Sequence, residues 1–147
     1  MDERGNMEKK FVIIRELEPK DISKVLKLLN QCDLCGPSDT IAAYRRKMKS
    51  DKDLMLVAMD NKRLVGFVMA HYDGWISMLW HLAVSPSYRR RKVATMLTRE
   101  ILRRLQKKGL KRVYALVETR NGTSMAFFRK QGFITLTKVN CVKFSLD

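Results

Sequence analysis

The spacing of apolar residues changes several times along the chain, and each change marks an element. Residues 11–17 (FVIIREL) are β-branched and aromatic and break at Glu18-Pro19, which predicts a first strand behind a charged tail, residues 1–10. Asp21 then precedes Ile22, Val25, Leu26, Leu28 and Leu29, which share one helical face, so a helix capped by Asp21 is predicted to end near Cys32. After the loop DLCGPSD, residues 40–48 (TIAAYRRKM) read as a second short helix capped by Asp39 or Thr40. Residues 54–59 (LMLVAM) and 64–71 (LVGFVMAH) flank the polar turn Asp60-Asn61-Lys62-Arg63 and predict an antiparallel hairpin. Asp73-Gly74 turns the chain into a long strand, residues 75–84 (WISMLWHLAV), which stops at Ser85-Pro86.

From Arg91 to Lys108 the residues Val93, Met96, Leu97, Ile101 and Leu105 recur at spacings of three and four, and Gly109 closes a helix. Val113–Val117 is the next strand. Its return through that helix is a right-handed crossover, so it pairs in parallel with the strand before it. Asn121 caps a last helix through Lys130, Gly132 ends it, and Phe133–Leu146 predicts one or two final strands. The fold expected is α/β: a mixed sheet of roughly six to seven strands with an antiparallel N-terminal half and a parallel step, flanked by about four helices. Residues 11–147 are expected to form a single domain, without repeats or linkers. Open α/β sheets bind ligands beyond the carboxyl end of the strand that feeds the crossover helix, here Val84 to Thr95.

The composition of the 147 residues, 46% hydrophobic with seven Gly and three Pro, supports a packed core and excludes a disordered chain. No apolar run reaches the ~18–20 residues that cross a bilayer, and the charged first ten residues lack the apolar segment of a signal peptide, so a cytoplasmic, membrane-free protein is expected. Three cysteines give no disulfide framework. Charge changes the picture more. The formal net charge is +15, and eleven of the thirty Lys and Arg lie between Arg89 and Arg112 against the single acid Glu100. Such a block can track a nucleic-acid backbone, hold a multiply phosphorylated cofactor, or be a solvated helix face.

The segment His81-Leu-Ala-Val-Ser-Pro-Ser-Tyr-Arg-Arg-Arg-Lys-Val-Ala-Thr95 joins a strand, a tight turn, four consecutive cations and a helix that starts on small residues. Free N–H groups of a first helical turn, its macrodipole and the charges of Arg89, Arg90, Arg91 and Lys92 together suit a pyrophosphate. In Leu82-Ala83-Val84, Pro86 and Arg89 to Ala94 this segment resembles the signature of the GNAT superfamily of acetyl-CoA-dependent N-acetyltransferases. Asn121, the aromatic Phe128 seven residues later, and Gly132-Phe133 match its downstream pattern, and the likeness runs from about Phe11 to Leu146. It is similar to the ribosomal-protein-alanine acetyltransferase-like branch, although the glutamate that branch carries before the Asn is replaced by Leu116.

The resemblance implies a GNAT fold and acetyl transfer to a primary amine by direct attack through a tetrahedral intermediate. It implies that the backbone of Leu82, Ala83 and Val84 pairs with the pantetheine arm. The pyrophosphate would lie against Arg89 to Lys92 and the amides of Arg90 to Thr95, including Val93 and Ala94, with Asn121 and Phe128 completing the cofactor site. Two positions depart from the pattern. Lys92 stands where a Gly usually allows close approach to phosphate, and Phe128 stands where many members carry the Tyr that protonates the leaving thiolate.

Candidates for the catalytic base are His81, Asp73 and Glu118. His81 lies beside the cofactor strand and is of the residue type suited to proton transfer near neutrality, but it reads equally as a strand histidine satisfied by a neighbour. Asp73 reads equally as an Asp-Gly turn residue, and Glu118 ends a strand. Tyr72 and Trp75 read as acceptor-pocket or core aromatics. Cys32-x-x-Cys35 lacks a second ligand pair, so no metal is expected. The expected partners are acetyl-CoA and an amine on a small molecule or protein, with weak non-specific nucleic-acid binding through the basic helix and a monomeric or homodimeric state. The competing readings are a CoA-binding protein with weak or no catalysis, and a basic nucleic-acid or ribosome-associated binder.

Overall fold

The computed structural model describes residues 11–146; the charged N-terminal tail lies outside the described residues. Two compact units divide at Leu116/Val117. In the first, the order is β1 (Val12–Glu16), α1 (Ile22–Gln31), α2 (Ile41–Asp51), β2 (Met55–Asp60), β3 (Arg63–Tyr72), β4 (Ser77–Val84), α3 (Val93–Lys107) and β5 (Tyr114–Ala115), and the second holds α4 (Gly122–Lys130). Short 3-10 turns precede α1, β2 and the 89–92 loop at Pro19–Asp21, Lys52–Leu54 and Pro86–Tyr88.

The strands lie side by side in chain order, antiparallel from β1 to β4 and parallel between β4 and β5, as the crossover through α3 requires. Among the described residues the sheet has five strands, fewer than the six to seven expected. Residues 133–146 form no strand, and β5 is two residues long where five were expected. Ile134, Leu136, Val139, Val142 and Phe144 carry apolar side chains that stay exposed, and alternation makes a strand only where it finds a partner to pair with.

One face of the sheet buries Leu17, Met55, Val57, Phe67, Met69 and Ala83 against Val25, Leu28 and Leu29 of α1 and Tyr44 of α2. α3 covers the other face through Val93, Leu97, Ile101 and Leu105. Gly66 sets how closely it packs: a Cβ there would stand 2.9 Å from Leu97 Cδ1, 3.0 Å from Val93 Cγ1 and 3.2 Å from Ala58 Cβ. A side chain at position 66 would therefore force Leu97 and Val93 of α3 to shift.

The caps follow the sequence in part. Thr40 Oγ1 accepts from Ala43 N–H at 3.1 Å and opens α2, and Asn121 Oδ1 accepts from Ser124 N–H at 3.0 Å and opens α4. Asp21 does not cap α1. Its carboxylate instead accepts from Arg15 at 2.7 and 3.1 Å and from the Glu18 N–H at 2.8 Å, which ties β1 to the start of the helix. Burial opposes the charge on Asp21, but the Arg15 guanidinium and the backbone bond outweigh it and hold the carboxyl below the ordinary aspartate range.

Because the carboxyl of Asp21 is more acidic folded than unfolded, the pair contributes fully above the unfolded aspartate value. Its contribution is lost as pH falls through the folded value, below about pH 4. Thermal unfolding followed from pH 7 to pH 3 should show this loss, and Asp21→Asn should lower Tm at neutral pH while flattening the acid decline. Gly66→Ala should cost about 1–3 kcal/mol by overpacking, read by denaturant unfolding.

Candidate active site

The site grows from an irregularity in β4. Met69 pairs with His81 and Ala70 with Leu79, so Trp80 is an extra residue bulged out of the β3–β4 ladder. Strict alternation would place His81 on the α3 face beside Leu79. The bulge moves it to the α1/α2 face, opposite Met69 and in line with Ala83 and Phe67.

β4 pairs with β5 only at Met78↔Tyr114 and Leu79↔Ala115. From Trp80 to Val84 its other edge has no strand partner among the described residues. That open edge carries Leu82, Ala83 and Val84. It can accept an extended chain through backbone hydrogen bonds. The Val84 carbonyl also accepts weakly from Cys32 Sγ at 3.6 Å.

Beyond Val84 the chain makes the Pro86–Tyr88 turn, and the loop Arg89 to Lys92 enters α3. Arg90 and Lys92 both have φ +62°, the left-handed region. A glycine at the position of Lys92 thus has a conformational reason, since the backbone there is one that side chains resist. The four cations are exposed. The helical ladder begins with Met96 N–H bonding back to Lys92 C=O at 3.0 Å, so the first turn of α3, from Val93 through Ala94 to Thr95, is the end that favours an anion.

Two residues that the sequence reading passed over anchor this loop. Tyr88 is buried, and its hydroxyl donates to the buried Asp60 at the β2–β3 turn. That hydrogen bond, with burial, raises the phenol above its ordinary range. The guanidinium groups of Arg63 and Arg91 lie over the Tyr88 ring at 5.3 and 5.0 Å, so one of the four loop cations is drawn onto an aromatic face.

His81 is 8% exposed, and its Nε2 lies 2.9 Å from Asp39 Oδ1. Asp39, in the loop between α1 and α2, also accepts from the Tyr44 hydroxyl at 2.9 Å and from the Gly36 N–H at 2.7 Å. Burial and these contacts raise the Tyr44 phenol well above its usual value, so it stays a donor. An acceptor-only carboxylate fixes Nε2 as the protonated nitrogen of His81, and no described residue hydrogen-bonds Nδ1.

Asp73 takes no part in these hydrogen bonds. Asp73 Oδ1 accepts from the Trp75 and Ile76 N–H groups, both at 2.9 Å, and these bonds lower its carboxyl below the ordinary range. Trp75 beside it is exposed. In the second unit Glu118 is exposed and its carbonyl accepts from Asn121 N–H at 2.9 Å. Phe128 packs there against Phe127 and Phe133 at ring distances of 5.4 and 5.1 Å. Among the described residues no three His, Cys, Asp or Glu gather as a metal site, and no helix is long and apolar enough to cross a membrane.

Part of the basic helix is internally paired. Arg103 and Arg104 both bind Glu100, holding its carboxyl down to about 2, and Arg104 also reaches Glu16 at 3.0 Å. Lys108 binds Asp53 at 2.8 Å. These cations serve to fasten α3 to β1 and to the turn before β2.

An open strand edge leading into an anion-binding helix start defines a fold built to hold an extended, phosphorylated acyl carrier. Residues 22–133 match the acetyltransferase (GNAT) family. The chain is 32% identical over 130 residues to the acetyltransferase ECA0875 of Pectobacterium atrosepticum, covering 88% of this chain and 90% of that protein. This chain belongs to the GNAT family and is an acetyl-CoA-dependent N-acetyltransferase. Among solved structures, Ard1 of Thermoplasma volcanium matches with a TM-score of 0.76 and 25% identity over 86% of this chain and 84% of that one. The PaiA N-acetyltransferase of Thermoplasma acidophilum, solved with coenzyme A, shares the fold at a TM-score of 0.77 and 19% identity, over 88% and 93% of the two chains.

The left-handed backbone at Lys92 yields a direct expectation. Lys92→Gly should raise the stability of the free protein by about 1 kcal/mol by relieving that conformation. Lys92→Ala, which removes the charge but keeps the Cβ, should not. Denaturant midpoints of the two variants, beside calorimetric titration with acetyl-CoA, separate backbone relief from loss of a phosphate-facing cation.

Proposed function

We propose that this chain transfers the acetyl group by direct attack of a neutral amine on the thioester, with His81 as the base. The observation that carries this reading is the buried Asp39–His81 pair beside the free edge of β4. The backbone of Leu82, Ala83 and Val84 would hold the pantetheine arm, and the amides of Arg90 to Thr95 with the loop cations would hold the pyrophosphate. A strand N–H near Leu82 or Val84 would polarise the thioester carbonyl as its oxygen becomes an oxyanion.

The proton inventory closes around His81. An ammonium group is not a nucleophile, so one proton must leave before attack, and Nδ1 takes it directly or through water while Asp39 stabilises the imidazolium. Tyr44 and the Gly36 N–H keep the carboxylate in place. Attack then forms the C–N bond and leaves the nitrogen positively charged; its second proton passes to water, collapse of the tetrahedral intermediate breaks the C–S bond, and His81 returns its own proton to solvent. The departing CoA thiolate takes its proton from solvent, since Phe128 has none to give. The likeness to the ribosomal-protein-alanine branch lies in the cofactor motif and stops on the acceptor side, where Leu116 replaces that branch's glutamate.

His81→Gln should lower kcat by about 100-fold or more while leaving the Kd for acetyl-CoA near that of the parent. Asp39→Asn should lower kcat less than His81→Gln does. Rates come from CoA thiol release and affinities from calorimetry. Parental kcat in His81→Gln would remove His81 from the mechanism.

A further inference from the structure

A groove of about 310 Å³ opens on the α2 side of the sheet, lined by Lys47, Met69, His71, Ile76, Met78 and Trp80. It adjoins the reacting end of the open edge: Trp80 is the bulged residue, and Met69 is the cross-strand partner of His81. Its position makes it the approach for the amine, an assignment that rests on the reaction proposed above.

The lining decides what can enter. Two thioethers, an aliphatic chain and an indole that is half exposed supply soft, adaptable apolar walls. The volume sits at the small end of ligand pockets, which run from about 300 to 1,000 Å³, so it holds one bulky side chain rather than an oligosaccharide.

Charge sharpens the choice. The cation in the wall, Lys47, is 3.2 Å from Asp51, so that carboxylate is already paired, and Asp73 beside the lining residue Ile76 accepts from the Trp75 and Ile76 N–H groups. The nearby Asp39 already serves His81, Tyr44 and the Gly36 N–H. The residues lining the groove include no acid, and the whole chain carries +15. A second cationic group on the acceptor would be desolvated there without a partner and repelled by the field of the protein.

We infer that the acceptor is a primary amine carrying one bulky apolar substituent and no second positive charge. Free amines of that kind and peptide N-termini with a large apolar first residue share this chemistry. Trp80 and Met78 determine the specificity, and polyamines and aminosugars are excluded.

The test is a rate comparison under acetyl-CoA saturation. The acceptors are leucinamide, an uncharged peptide beginning with Leu, the same peptide beginning with Ser, spermidine and kanamycin. At least a tenfold higher kcat/KM is expected for the two Leu acceptors than for the Ser peptide or either polycation, and the ratio of the Leu peptide to leucinamide tells a protein N-terminus from a free amine. Trp80→Ala should shrink the Leu-to-Ser ratio about tenfold, mainly through KM of the Leu peptide, while acetyl-CoA still binds. Equal or faster turnover of spermidine, kanamycin or the Ser peptide overturns the inference, as does an unchanged Leu-to-Ser ratio in Trp80→Ala. Those outcomes leave the His81 chemistry standing. Failure of that chemistry is read separately, from His81→Gln acting at the parental rate on the best acceptor.

Discussion

β4 is held on one side along its whole length and on the other at two residues only, and the site depends on that asymmetry. A strand in a sheet interior spends its backbone groups on both neighbours. Here the ladder to β5 stops at Leu79↔Ala115, leaving Trp80 to Val84 with one edge to offer. Ladder hydrogen bonds carry no side-chain information, so a pantetheine arm can replace a missing strand without any particular residue being required on that edge. What the fold must guarantee is that the edge stays open and that the anion-binding turn stands at its end. Gly66 brings α3 close to β3, and Tyr88 locks the intervening loop onto Asp60.

The bulge at Trp80 couples that edge to the His81–Asp39 pair. One extra residue reverses the facing of everything before it in the strand, so Leu79 packs under α3 while His81 turns toward α1 and α2. Only on that face does His81 meet Asp39, forty-two positions earlier in the chain. The same extra residue leaves Trp80 at the wall of the groove. In the proposed mechanism carbonyl activation, proton acceptance and acceptor fit would therefore converge on three consecutive positions, and could not be tuned independently.

Much of the fold was legible because its elements are local. The spacing of Val25, Leu28 and Leu29, the hairpin around Asn61, and the run from Val93 to Leu105 each state a periodicity that a single element satisfies, and the crossover rule supplied the parallel step. The misses depend on contacts and backbone conformations that the periodicity of a single element does not state. Residues 133–146 have strand-like alternation but no partner. Asp21 looked like a helix cap, yet Arg15 across the turn claims its carboxylate. His81 was visible as a candidate, but its partner was not. Asp39 sits in a loop whose polar residues all read as turn formers, and the one signal was a choice of helix cap that Thr40 took instead. The departure at Lys92 was visible, while its left-handed backbone was not.

The charge of the chain acquires a different meaning once the ion pairs are placed. A surplus of cations in sequence suggests a surface that seeks anions everywhere, but the acids are spent selectively. Glu16, Glu100 and Asp53 fasten the basic helix to β1 and the turn before β2, and Asp21 and Asp51 hold Arg15 and Lys47. The Arg89–Lys92 loop presents four exposed cations in a row without carboxylate partners among the described residues. A phosphate-bearing cofactor is drawn to that end of β4. On the proposed reading, a polycationic acceptor would find no acid among the residues lining the groove. In the proposed reaction that charge pattern would set cofactor and acceptor apart before either reaches the reacting carbon.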